Sequence, residues 1–132
     1  MLNLYTVKYK NFDIGIINMN TYRFYLNIHC NPKFIPRELL NPTKENVINF
    51  LKSRVVQEDN QGLGLILEDL GIQNYNIKQL IDKTKGMDLN DCIWITNNPK
   101  ENYYKVHIRE NHEKYFKNIK LGDGSWFVFI VN

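Results

Sequence analysis

The chain is short of the residues and runs that announce most chemistries. Cysteine occurs twice, as Cys30 and Cys92, in different segments with no Cys-x-x-Cys and no neighbouring ligand set. That excludes the usual zinc and dithiol spacings. Two free, partly buried thiols are expected, with a single disulfide between them as the alternative. Histidine occurs three times, at His29, His107 and His112, and the spacing of the last two fits no His-Glu-x-x-His metal site. Gly62-Leu-Gly64 is not followed by Gly-Lys-Ser/Thr, and no Gly-x-Gly-x-x-Gly exists, so no phosphate-cradling loop is expected. No apolar run approaches the ~20 residues of a bilayer span. The opening Met-Leu-Asn-Leu-Tyr-Thr-Val-Lys alternates and lacks the apolar block of a signal peptide. Together these features read as a cytoplasmic protein with no membrane association.

What is present suits one packed domain. The 132 residues are 43% hydrophobic and 13% aromatic, enough for a core that needs no metal or disulfide. The net charge of +3 is mildly basic, and acidic residues are interspersed among the cations, which dilutes any single-sign field. No internal repeat or low-complexity linker interrupts the chain.

Residues 1–30 read as a β-meander. Leu2 to Tyr9 alternates, with Tyr5, Val7 and Tyr9 on one face. Lys10-Asn11 supplies a turn, and Phe12 to Asn18 a second strand in which Gly15 marks a bulge or close approach. Thr21 to His29 is expected as a third strand, with Tyr22, Phe24, Leu26 and Ile28 facing the core. A connector containing Pro32 and Pro36 follows. Residues 43–86 read as a helical block. Thr43 is the expected N-cap of a first helix, Gly71 the C-cap of a second over Gln61 to Leu70, and a third begins after Asn76 and stops at Gly86. Residues 92–132 read as closing strands: Cys92 to Ile95, an alternating Tyr103 to Ile108, and Ser125 to Val131, which is apolar on both faces. The expected fold is α+β: a mainly antiparallel, curled sheet with about three helices packed on one side.

Chemistry is harder to place. Glu68 and Asp69 are adjacent on a helix and read as its solvated face. Asp88 and Asp91 bracket a turn, where short carboxylates hydrogen-bond their own backbone. Neither cysteine has the adjacent base that an activated thiol needs. No cofactor or metal is expected, and the reading is of a protein that is not an enzyme. The best binding candidates are the basic and aromatic residues Tyr103, Tyr104, Lys105, His107, Arg109 and Tyr115, with Trp126 in the last strand. Tyr, Trp and Arg anchor protein interfaces. The same mixture can stack bases and touch phosphates, so nucleic acid is the less favoured ligand class.

One stretch carries a family likeness. Phe50-Leu-Lys-Ser-Arg54-Val-Val-Gln57-Glu-Asp-Asn60, then Leu-Glu-Asp-Leu-Gly71-Ile, then Lys-Thr-Lys-Gly86-Met-Asp-Leu-Asn-Asp91-Cys-Ile-Trp94-Ile resembles the amino-terminal subdomain of HipA-like serine/threonine kinases. The likeness covers about the first hundred residues and marks Arg54, Gly86, Asp91 and Trp94 as structural positions. Gln57 stands where the family has Pro, and Asn60 where it has a second Arg. The kinase elements that follow this subdomain in the family have no counterpart here. The resemblance therefore implies a stand-alone, HipS-like module that binds and restrains a separate HipA-like kinase in a toxin–antitoxin setting. A phage or mobile-element inhibitor of a host defence complex, of the anti-CRISPR type, is the alternative. A small nucleic-acid-binding protein is the second.

Overall fold

The computed structural model describes residues 3–111. The expected closing strand over residues 125–131, together with Tyr115 and Trp126, lies outside them. Four strands, β1 (Leu4–Tyr9), β2 (Phe12–Asn18), β3 (Arg23–Leu26) and β4 (Ile93–Thr96), form one antiparallel sheet in the order β3-β2-β1-β4. Between β3 and β4 the chain makes three helices, α1 (Lys44–Ser53), α2 (Leu63–Leu70) and α3 (Ile77–Thr84). The fold is α+β, and among the described residues the sheet is open rather than closed into a barrel.

The local signals explain these elements. Lys10 takes a positive φ of 52°, and the two-residue loop Lys10-Asn11 joins β1 to β2 with Tyr9 opposite Phe12. Thr43 caps α1, its hydroxyl accepting the Asn46 N–H at 3.1 Å. Gly71 ends α2 in the left-handed conformation at φ 72°. Asn76 caps α3 by accepting the Gln79 N–H at 2.9 Å. Tyr5 and Val7 of β1, Ile17 of β2 and Ile95 of β4 pack against Val47, Phe50, Leu51, Ile66, Leu80 and Ile81 of the helices, all buried. This is the main core.

Gly15 is both things the sequence pattern suggested. The register of β1 against β2 shifts between Val7 and Lys8, so Ile14 is the extra residue of a bulge beside it. A Cβ at Gly15 would lie 2.5 Å from a Phe24 ring carbon and 2.6 Å from the Tyr25 carbonyl.

Two strands differ from expectation. β3 is four residues long where nine were expected. Tyr22 sits in a left-handed turn at φ 58°, its N–H bonded to Asn18 O. At the other end the Asn27 side chain bonds the Asp13 carbonyl and accepts the His29 N–H, bending the chain away. Of the four residues expected to face the core, Tyr22 and Phe24 pack on it, whereas Leu26 is 47% exposed and Ile28 86%. The alternation of Tyr103 to Ile108 is not a strand. It folds as two helical turns, α4 (Tyr103–Val106) and α5 (Ile108–Asn111). Asn102 caps α4 by accepting the Tyr104 N–H at 2.9 Å, and the buried residues Tyr103, His107 and Ile108 fall at helical spacing. Within the described part of residues 92–132, then, β4 is the closing strand.

Gly15→Ala is expected to push Phe24 off the sheet and destabilise the fold by about 1–3 kcal/mol, the cost of overpacking a filled site. Chemical denaturation of the variant against wild type measures it, and an unchanged midpoint contradicts the close approach.

Candidate functional site

Arg54 follows α1 as its C-cap and is 8% exposed. Its guanidinium makes four hydrogen bonds. Nε donates to Gly86 O at 2.8 Å, Nη1 to Asp91 Oδ2 at 2.8 Å, and Nη2 to Asp91 Oδ1 at 3.0 Å and to Ile93 O at 2.8 Å. The planar fork of arginine fits this bidentate arrangement, which an ammonium could not reproduce. Asp91 Oδ1 also accepts the Ile93 N–H at 3.0 Å, which starts β4. Gly86, at φ 57°, lets the chain turn under the guanidinium. A Cβ there would lie 3.1 Å from Ile95 Cδ1 and 3.3 Å from Arg54 Cβ. Three of the four marked structural positions, Arg54, Gly86 and Asp91, thus share one network. Trp94, the fourth, lies one residue beyond it on the opposite face of β4.

That opposite face carries a second, smaller core. Trp94 is fully buried among Met87, Cys92, Tyr103 and Ile108, and its indole N–H donates to Lys10 O at 2.7 Å. Here the structure corrects the sequence reading. Tyr103 and His107, expected as exposed binding residues, are both fully buried. The His107 ring accepts the Arg109 N–H on Nδ1 at 3.2 Å, which leaves Nε2 to donate to Ile93 O at 3.3 Å. The imidazole is therefore neutral, with its proton on Nε2. Burial holds its pKa down to about 4, against 6.5 ordinarily. Burial likewise pushes the Tyr103 phenol up, with the Cys92 thiol adding to it. Polar residues close the rest of this layer. Lys8, 4% exposed, reaches Pro99 O at 2.7 Å and Asp13 at 3.2 Å. Burial opposes ionisation of Glu101, but Lys85 at 2.9 Å and the Thr96 hydroxyl outweigh it and hold the carboxyl below its ordinary range. Cys30 and Cys92 are both free and buried.

The exposed members of the candidate set are Tyr104, Lys105 and Arg109. Arg109 is tied to Leu89 O at 2.9 Å. Tyr104, 54% exposed, forms one wall of an open groove of about 390 Å³ whose other walls are Tyr9, Lys10, Asn11 and Phe12. Two of the three aromatic walls are braced by other rings. Tyr9 stacks on Phe34 at 4.3 Å, and Tyr104 meets the buried Tyr103 ring edge-on at 5.0 Å. Asn11 joins the two sides by accepting the Tyr103 N–H at 2.8 Å. Sequence reasoning missed Tyr9, Asn11 and Phe12 as groove residues. The hairpin turn was legible, but nothing local says that residue 11 binds residue 103. Among the described residues, no group of three or more His, Cys, Asp or Glu could hold a metal ion, and no helix is long and apolar enough to cross a membrane.

No family model matches the chain, and neither the curated proteins nor the solved structures contain one similar to it. The fold and its surface therefore define the class on their own: an α+β domain with a small second core behind the sheet and a braced aromatic groove at one hairpin.

Removing Arg54 as Arg54→Ala strands Gly86 O, unpairs the Asp91 carboxylate and leaves Ile93 O only its bond from His107, and is expected to cost about 3 kcal/mol. Arg54→Lys should recover little of it, since one ammonium cannot reach three acceptors in a plane. Urea unfolding of the two variants distinguishes a fork from a simple charge. His107 generates a pH dependence. Its folded pKa lies below its unfolded one, so its contribution is complete above pH 6.5 and is lost as pH falls towards 4. A loss of order 2 kcal/mol is expected across that window, measured by urea titration at pH 7 and pH 4.5. His107→Gln should flatten it.

Proposed function

We propose that this domain is a non-enzymatic protein-binding module that docks a partner through the groove between the β1–β2 hairpin and Tyr104. The observation that carries the reading is the pair of half-exposed aromatics, Phe12 on the hairpin and Tyr104 braced edge-on by Tyr103, at an open groove whose third aromatic wall, Tyr9, stacks on Phe34. Rigid aromatic walls lose little conformational freedom on binding and offer large apolar contact, as interface anchors do. A protein partner is favoured over nucleic acid because most of the groove wall is aromatic and three of the nearby cations are engaged internally, Lys8 with Asp13 and Pro99, Lys85 with Glu101 and Arg109 with Leu89, which leaves Lys10 and Lys105 as the cations beside it. Phosphate contacts need cations turned outward. The sequence resemblance supplies a specific partner, a HipA-like kinase restrained by steric docking. That choice of partner rests on the resemblance alone.

Cross-linking capture with tagged wild-type protein identifies the partner, and calorimetric titration with that partner purified measures affinity. Tyr104→Ala combined with Phe12→Ser is expected to weaken binding at least about 10-fold while His107 and the Arg54 network keep the fold intact. Equal affinity of the double variant rejects the groove. A captured partner that is not a kinase rejects the toxin–antitoxin setting and leaves the groove standing.

A further inference from the structure

The groove read above as the docking site has three aromatic walls, Tyr9, Phe12 and Tyr104, and one cationic wall, Lys10. That lysine stands in backbone that disfavours it. Among the described residues three non-glycines hold a positive φ: Lys10 at 52°, Tyr22 at 58° and Lys85 at 55°. A Cβ crowds the backbone there, so glycine takes the conformation at less cost. In two of the three the side chain has a task inside the fold. Tyr22 packs on the main core, with the Lys44 ammonium 6.0 Å from its ring centre. Lys85 pairs with Glu101 at 2.9 Å. The Lys10 ammonium has no such partner among the described residues. Its backbone is nonetheless held from both sides. Its N–H bonds Cys92 O at 2.9 Å, and its C=O accepts the indole N–H of the buried Trp94 at 2.7 Å. A side chain set at a strained position on a groove wall, and unused by the fold, is one that a ligand can use.

We propose that the groove takes an extended peptide segment of the partner in which an acidic residue sits beside an apolar or aromatic one. The acid meets Lys10, and the apolar side chain lies against Tyr9, Phe12 and Tyr104. This rests on the reading of the groove as a docking site and specifies what docks there. Charge decides between occupants. Three aromatic walls could hold an ammonium, but Lys10 in the same groove repels one. Asp13 is engaged by Lys8 and Glu101 by Lys85, while Lys105, exposed next to Tyr104 in the chain, adds to the positive charge. Shape decides against a small molecule. Sites for those enclose roughly 70–90% of the ligand, whereas a groove of about 390 Å³ that is open to solvent covers one side of it. An extended chain, which presents alternate side chains to one face, suits such a groove.

The test is panning of a phage-displayed random peptide library on the whole chain, followed by anisotropy titration of the enriched peptides. The expected result is enrichment of Asp or Glu next to an aromatic residue, Leu or Pro. Lys10→Glu should bind the wild-type-selected peptide about 10-fold more weakly, because like-charge repulsion replaces an exposed pair. Panned itself, Lys10→Glu should enrich Lys or Arg at the acidic position. Lys10→Gly should lose the acidic preference while its urea midpoint rises, which separates binding from folding. A midpoint below wild type means that the fold uses the side chain, and overturns the proposal. Peptides that need Tyr104 and Phe12 but carry no acid, or that bind Lys10→Glu as tightly as wild type, overturn it and leave the docking groove standing. Enrichment that survives Tyr104→Ala with Phe12→Ser, or no enrichment at all, overturns both. So does tight binding of a fluorescent oligothymidine that Lys10→Glu abolishes, since that assigns the groove to nucleic acid.

Discussion

The structure depends on a single guanidinium. Arg54 arrives at the end of α1 and ties together three points distant in sequence: the turn at Gly86 that ends the α3 region, the Asp91 side chain, and the carbonyl of Ile93. Those bonds position β4, and β4 carries the two cores. Ile95 faces the helices and Trp94 faces the other way. A hydrophobic contact could not do this, because it has no direction. Four hydrogen bonds in one plane fix distance, orientation and register together. The ion pair at the centre adds little net stability by itself, since desolvation of the arginine offsets much of the attraction. Its contribution is to specify where the strand lies, and the apolar burial on both sides of the strand then supplies the free energy.

Much of this was readable in the chain, for a physical reason in each case. Short-range signals were reliable. Thr43, Asn76 and Gly71 act within one helical turn of their own positions, so residue type alone identifies the caps. Gly15 was legible because an unexplained glycine in a strand implies a close neighbour. The Arg54, Gly86, Asp91 and Trp94 set came from the family likeness, and the geometry joins the first three.

The misreadings share one cause. Tyr103 to Ile108 offers apolar and aromatic residues at a spacing compatible with period two and with period 3.6. What decides between them is the Asn102 side chain, which bonds Tyr104 and starts a helical turn. The error in exposure follows from it. A strand would have left one face in water, whereas a helical turn lying over Trp94 buries Tyr103 and His107 completely. The overestimate of β3 arises the same way: Asn27 offers its own backbone partners and ends the ladder early. Asparagine side chains, which are both turn formers and caps, made these boundaries ambiguous in a sequence rich in them.

The buried second core also bears on what the surface can do. The layer of Lys8, Thr96, Glu101 and Lys85 behind the sheet engages ionisable groups that would otherwise face solvent, and His107 is held neutral beneath it. Lys8, Lys85 and Glu101 are thus engaged in holding residues 97–111 against the sheet, while Lys105 stays exposed. What that packing leaves outward is aromatic: Tyr104, set by Tyr103, and Phe12, set by the hairpin that Asn11 ties to Tyr103. A surface built this way offers shape and apolar area first, with Tyr104 held edge-on by Tyr103 and Tyr9 stacked on Phe34. The groove therefore depends on the core behind it, and substitutions that loosen Trp94 or His107 should disturb recognition without touching a groove residue.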